Sequence, residues 1–263
     1  MQPAVIQQLL DLNNTFYQTF GKAFAVTRRR IQPGIARCLA GFSPIGDWLD
    51  LGCGGGTVAD VWAKTPARQG HYLGVDFSPV LLEEARQTVQ CPADERIRTD
   101  FCQADLASLA WKDCLTPGNP FGAPDQFDVI SAFAVFHHIP DSSVRQKICE
   151  AIYEYLKPGG IFVLSVWQMQ NSPKLMARLQ PWERANLSPE LLEEGDVLMD
   201  WRFTLPGQPE QTGLRYVHLF AAEELAGLAA QSGFEIVDTF ESDGENGRLG
   251  LYQIWKKPLS FAD

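Results

Sequence analysis

Residues 127–136 read FDVISAFAVF, a run in which only Asp128 and Ser131 are polar. A strand with water on one face alternates apolar and polar side chains, so a near-continuous run belongs to a strand covered on both faces. Such strands occur in parallel sheets layered by helices. The flanking sequence keeps the same rhythm. Asp47 to Leu51 reads as a short strand, Val58 to Lys64 as a helix and His71 to Phe77 as a second strand. Ser78 is placed to cap a helix that Pro79 starts, with Glu83 and Glu84 in its early turns. A third strand falls between Arg96 and Gln103, an amphipathic helix between Asp141 and Leu156, and a further strand between Ile161 and Trp167. Pro158-Gly159-Gly160 stops the helix before that strand. The alternation predicts an α/β fold with right-handed crossovers.

Outside this stretch the rhythm changes. Residues 3–42 read as helical, broken near Gly21 and at Pro33-Gly34. Residues 168–217 hold Pro173, Pro181, Pro189, Pro206 and Pro209 with Trp182 and Trp201, and read as an insertion over the sheet edge. A helix follows from Ala221 to Ser232, ended by Gly233. Phe234 to Phe240 and Leu249 to Trp255 are strands joined by ESDGENGR. No helix fits that turn-rich joint, so the two strands pair antiparallel.

A chain of 263 residues fits one large domain, 1–263, with a helical cap at 1–42 and the insertion at 168–217. The net charge of −10 argues against a broad basic face for nucleic acid. The densest cations are Arg28, Arg29 and Arg30, with Lys22 upstream and Arg37 downstream. No basic, apolar leader and no membrane-length apolar run is visible, which points to the cytosol and away from membranes. The six cysteines make no C-x-x-C pair and are expected to be free buried thiols. No metal spacing links His71, His137, His138 or His218.

The chemistry is expected where strands end, because open α/β sheets bind ligands at the carboxyl ends of their strands. The first strand runs into DLGCGGG, Asp50 to Gly56. A P-loop needs lysine and Ser/Thr after its glycines, and neither follows. A dinucleotide loop needs Gly or Ala where Thr57 stands. Asp50 also opposes a pyrophosphate, which seeks helix N–H groups away from anions. A cationic, phosphate-free nucleoside reverses that sign, and S-adenosylmethionine carries both an ammonium and a sulfonium. Asp76 closes the second strand, where a carboxylate accepts both ribose hydroxyls. Asp105 follows the third, where it can meet an adenine amino group.

Asp50-Leu-Gly-Cys-Gly-Gly-Gly56, Val75-Asp-Phe-Ser78, Ala104-Asp105, Phe127-Asp-Val129 and Lys157-Pro-Gly-Gly160 resemble the class I S-adenosylmethionine-dependent methyltransferases. The resemblance implies a Rossmann-like, seven-stranded, mostly parallel sheet with the last strand antiparallel. Helices would cover both faces, with N-terminal helices and the insertion before the sixth strand. It places the backbone of Gly52, Cys53 and Gly54 at the methionine part of the donor. Asp76 would hold the ribose, Phe77 would pack on adenine, and Asp105 with Leu106 would meet the adenine edge. Phe133 and Ala134 would lie near the donor's amino group.

A narrower resemblance covers nearly the whole chain. FYQTFGKAFAVTR from Phe16, AVFHH from Ala134, VLSVW from Val163, GDVLMDW from Gly195 and RYVHLF from Arg215 are similar to tRNA methyltransferases that esterify carboxymethyluridine at the wobble position. Three departures stand against it. Arg29-Arg-Ile-Gln-Pro33 replaces a Lys-Pro-Trp-Pro run, Asp200 replaces a proline, and Asn246-Gly-Arg248 replaces Gly-Asn-Trp. That family can use a small partner protein. The acceptor is therefore expected to be a modified tRNA uridine or a small metabolite, and a non-catalytic donor-binding module is the reading from another class.

A carboxylate acceptor is already ionised near neutral pH and needs no base, whereas a hydroxyl or amine does. His137 and His138 follow the fourth strand, where an acceptor would lie. Arg28 and Arg215 could clamp a carboxylate or phosphate. Tyr216 and His218 alternate on an extended stretch and share a face.

Overall fold

A computed structural model describes residues 1–27, 30–89, 95–116, 118–204 and 210–259. Helices α1 (Pro3–Thr27) and α2 (Pro33–Gly41) precede β1 (Trp48–Leu51), α3 (Thr57–Lys64), β2 (Gly70–Asp76), α4 (Pro79–Thr88) and β3 (Ile97–Gln103). Then come β4 (Phe127–Phe133), α5 (Ser142–Tyr155), β5 (Leu156–Trp167), α6 (Pro173–Met176), β6 (Leu179–Gln180), β7 (Asp196–Phe203) and β8 (Gln211–His218). The chain closes with α7 (Ala222–Gln231), β9 (Glu235–Ser242) and β10 (Gly250–Lys256).

Strand residues alternate between two cores. In β1, Trp48 joins Tyr72, Val129 and Val163 under α2, α3 and α4. Its neighbour Leu49 joins Leu73, Ile130 and Leu164 against α5 and α7. A sheet buried this way on both faces explains the unbroken apolar run of β4. The strand order is β3-β2-β1-β4-β5-β10-β9. The first five strands pair in parallel, and β10 runs antiparallel to both β5 and β9. The order reverses between β1 and β4, which opens a crevice at their carboxyl ends. This is the Rossmann-like, seven-stranded sheet with an antiparallel last strand.

Five expectations need correction. Helix α1 continues through Gly21, which lies against Val80 and Leu81 of α4; tertiary packing outweighs glycine's weak helix preference. Strand β4 ends at Phe133, because Ala134 turns to a φ of 56° and Phe136–His138 winds into a 3-10 turn. Pro158-Gly159-Gly160 does not separate α5 from β5 but lies inside the strand, where Gly159 N donates to Lys257 O at 2.9 Å. The insertion does not lie over a sheet edge. Its strands form a separate antiparallel sheet, β6-β7-β8, that packs on α1 through Tyr216 and Leu187 against Val5 and Leu9. Finally, Cys102 and Cys114 form a disulfide, because the 3-10 turn Ala110–Leu115 folds back on the end of β3. Cys38, Cys53 and Cys149 are buried free thiols as expected, and Cys91 lies outside the described residues. No helix among the described residues is long and apolar enough to cross a membrane.

Candidate active site

The glycine loop takes its shape from contacts a side chain would prevent. Gly52 sits at φ 77°, and a Cβ there would lie 2.3 Å from Val135 Cγ2. Its N–H donates to Val75 O at 2.7 Å, tying the loop to the end of β2. Gly54, at φ 54°, has open space where a Cβ would project. Gly56, at φ 78°, leads into α3.

Asp50 and Asp76 flank this loop and are both buried. Asp50 accepts from Ser131 Oγ at 2.6 Å and from the Tyr72 hydroxyl, while Ser131 Oγ accepts from Trp48 Nε1 at 2.7 Å. Burial pushes the Asp50 carboxyl up to about 6, and its two hydrogen bonds restrain the rise. Asp76 accepts from Gly54 N at 3.0 Å and from Ser78 N at 2.9 Å. Burial pushes it also to about 6 against those backbone donors. A carboxylate has about four lone-pair positions, so with the Ser78, Gly54 and Phe77 amides bound Asp76 keeps capacity for a ligand hydroxyl. Asp105 is exposed and accepts from Ala107 N at 3.0 Å.

A cavity of about 810 Å³ joins these groups. Asp50, Gly52, Cys53, Gly54, Asp76, Phe77, Asp105, Leu106, Phe133 and Ala134 all line it. The ten residues expected to hold the donor thus share one space. Asp60 and Glu84 add further carboxylates, and Arg30 is the only Lys or Arg lining it among the described residues. Asp60 is paired with Lys64 at 2.7 Å, and the remaining carboxylates suit a cationic ligand. The glycine backbone, the buried Asp76 and the volume fit an amino-acid nucleoside such as S-adenosylmethionine.

The other end of the cavity is walled by Asn13 and Tyr17 of α1, and by Phe133, His138 and Trp167. Asn13 holds α1 in place: Tyr216 N donates to its Oδ1 at 2.9 Å, and its Nδ2 donates to the carbonyls of Tyr216 and His138, both at 3.3 Å. His138 Nδ1 lies 3.1 Å from Tyr216 O, and its Nε2 lies 3.1 Å from the Tyr17 hydroxyl. A carbonyl only accepts, so the neutral ring carries its proton on Nδ1 and accepts from Tyr17 at Nε2.

Of the four acceptor-side candidates among the described residues, His137, His138, Arg215 and His218, only His138 lines the cavity. His137 is fully buried, stacked on Trp167 at 4.6 Å with the His138 ring 4.3 Å away, and so lies behind the cavity wall. Arg215 is 3% exposed, its guanidinium 4.7 Å over Phe16 and 5.1 Å from Trp167. It lies within the packing between α1 and β8, behind Trp167, and does not line the cavity. His218 and Tyr216 do share a face: both reach Asp196 Oδ1, at 2.7 and 2.8 Å. His218 Nε2 also meets Glu224 at 3.0 Å, and Arg145 bonds Glu193 at 2.7 Å and Glu224 at 3.2 Å. Burial opposes the charged His218 ring, yet the bonds to Asp196 and Glu224 outweigh it and raise its pKa. This ion network clamps α5 and α7 to β8 away from the cavity. Arg28 lies outside the described residues. Tyr17, Asn13 and Trp167 were not singled out from the sequence; only the aromatic pattern of α1, Phe16, Tyr17 and Phe20, marks a helix face there.

A family model described as a methyltransferase domain matches residues 24–239. The chain belongs to this methyltransferase family. A solved S-adenosylmethionine-dependent methyltransferase of Methanosarcina mazei superposes with a TM-score of 0.60 at 21% identity, covering 88% of this chain and 99% of that one. The protein named probable tRNA methyltransferase 9B of Bos taurus is 24% identical over 75% of this chain and 37% of its own length. A ubiquinone biosynthesis O-methyltransferase of Stutzerimonas stutzeri is 26% identical over 49% of this chain and 47% of its own. The chain therefore spans less than half the length of both relatives. The methyltransferase uses S-adenosylmethionine as methyl donor.

Proposed function

We propose that the donor lies along the strand ends, its methyl group turned toward Tyr17, His138 and Trp167. Gly52, Cys53 and Gly54 then meet the methionine part, and Phe133 with Ala134 lies by its amino group. Asp76 takes the ribose, Phe77 packs on adenine, and Asp105 with Leu106 meets the adenine edge. Asp50 adds negative charge beneath the loop. In this reading residues 1–42 and 168–217 serve the acceptor side of a single cytosolic enzyme.

The acceptor best supported is a small planar molecule bearing a hydroxyl or amine. One observation carries this: the acceptor wall offers aromatic faces, a hydroxyl and an imidazole nitrogen, whereas Arg215, the expected clamp for a carboxylate or phosphate, is packed between Phe16 and Trp167. The partial likeness to a ubiquinone biosynthesis O-methyltransferase agrees with it. A second reading is methylation of carboxymethyluridine in tRNA, favoured by likeness to the bovine relative over 75% of this chain. In that reading a small partner protein would help to hold the tRNA.

Radiolabelled donor, offered in parallel to a panel of phenols, catechols and aromatic amines and to tRNA lacking wobble-uridine methylation, tests the choice. Label in a small-molecule product is expected. Label in tRNA alone, with or without added cell extract, overturns the first reading in favour of the second.

A further inference from the structure

Resting on the hydroxyl or amine acceptor inferred above, we propose that Tyr17 takes the acceptor's proton while passing its own to His138. The reason lies in the lone pairs. A neutral imidazole has one acceptor nitrogen with one lone pair. At His138 that nitrogen is Nε2, because Nδ1 donates to the Tyr216 carbonyl at 3.1 Å. The Tyr17 hydroxyl occupies Nε2 at 3.1 Å. A substrate proton therefore reaches the imidazole through the Tyr17 oxygen, which accepts as it donates.

The surroundings hold this chain in line. Tyr17 is 8% exposed yet lines the cavity with His138, Phe133 and Trp167. Its ring meets Phe16 edge-on at 5.1 Å and Phe77 at 5.6 Å. One turn earlier on α1, Asn13 bonds both the His138 carbonyl and the Tyr216 backbone, so the helix carrying Tyr17 is tied to His138 and to the strand that orients the His138 ring. Low local dielectric strengthens such a chain, and fixed partners spare it reorganisation during reaction.

The step balances. The acceptor oxygen or nitrogen forms a bond to the methyl carbon as the carbon–sulfur pair leaves with sulfur, which becomes a neutral thioether. The acceptor's proton moves to Tyr17 Oη, and the proton that Tyr17 carried moves to His138 Nε2. One positive charge begins on the sulfonium and ends on the imidazolium, whose Nδ1–H still bonds the Tyr216 carbonyl. Tyr17 ends neutral, so it need not persist as a phenolate.

The test reads proton position without turnover. The probe is 4-nitrophenol, whose anion absorbs in the visible, bound to the full chain with S-adenosylhomocysteine at a pH one unit below the probe's own pKa. Asp50, Asp60, Asp76, Glu84 and Asp105 face the same cavity and oppose an anion there, and Arg30 is the one lining guanidinium to favour it among the described residues. Ionisation of the bound probe therefore reports transfer along the chain. The ionised fraction is expected to rise about threefold over free probe, and to fall to or below the free value in Tyr17→Phe and in His138→Gln. Arg37→Ala, which removes an exposed cation outside the cavity, should keep the rise. Circular dichroism melting of each variant checks its fold, and a variant that melts early is replaced by Tyr17→Leu. A probe that binds but stays protonated overturns the relay and leaves the acceptor reading standing. Ionisation that survives Tyr17→Phe shows that His138 acts directly and removes Tyr17 from the step. Failure of the probe to bind sinks the relay and the phenolic acceptor together.

Discussion

The two ends of the cavity are built on different plans. The proposed donor end uses residues at the tips of three parallel strands, β1, β2 and β3, each followed at once by its loop. Asp50, Asp76 and Asp105 stand there at positions a short motif specifies. The acceptor end draws Asn13 and Tyr17 from α1, His138 from the turn after β4, Trp167 from the end of β5 and Tyr216 from β8. Its bonds join residues 121 and 203 positions apart. The donor end is set by backbone geometry, whereas the acceptor end exists only when α1 and the small sheet close over it.

The largest expected effect separates the two ends outright. Asp76→Ala should weaken donor binding about a hundredfold or more, since it removes the hydroxyl acceptor and strands the half-buried Gly54 and buried Ser78 amides. Titration calorimetry with S-adenosylhomocysteine measures it, and an unchanged affinity would move the donor elsewhere. Next, Asn13→Ala should cost about 2 kcal/mol of stability by breaking the buried bonds that hold α1 to β8. Thermal melting reads the loss. Donor affinity should stay within about threefold while methyl transfer falls at least about tenfold; equal losses in both would mean the two ends form one unit.

That contrast governs what could be read from residues alone. DLGCGGG and GVDFS carry their meaning within a few residues, because a tight turn and a strand-end carboxylate are local requirements. The two cores were likewise legible in the apolar run of β4. Arg215 was expected as a clamp for a carboxylate or phosphate, and only the closure of α1 over β8 puts Phe16 and Trp167 around it. His137 and His138 are adjacent and chemically identical, yet only His138 lines the cavity, while His137 is buried against Trp167. The Cys102–Cys114 bridge had no local signal, since a spacing of 12 is matched by countless unpaired cysteines.

A pH series sharpens the comparison further. The folded carboxyls of Asp50 and Asp76 sit near about 6, above the ordinary value. Their raised pKa favours the protonated form in the fold. Stability from them is therefore full below the unfolded carboxyl range and is lost as pH rises through about 6. Donor affinity runs the other way, because hydroxyls and cations favour the ionised carboxylates. It should climb about tenfold between pH 5 and pH 7 for each carboxylate that must ionise, then level off, with protons released on binding. Calorimetry in buffers of different ionisation heat counts those protons; a flat profile would mean that binding does not require either anion. The smallest effect concerns Arg30, exposed at the cavity rim. Arg30→Ala should tighten cationic donor binding by less than about threefold, and the gain should vanish in high salt.

Asp50 has a further consequence through the chain Trp48, Ser131, Asp50 and Tyr72. It lies opposite Gly74 of β2 and Ser131 of β4, and it accepts hydrogen bonds from side chains on both neighbouring strands. A one-residue slip of β1 against either neighbour would turn the carboxylate to the opposite face, among the leucines that surround Leu49. Asp50 thus acts as a registration pin for the middle of the sheet. It rejects misaligned pairings as the strands assemble, before any ligand is present.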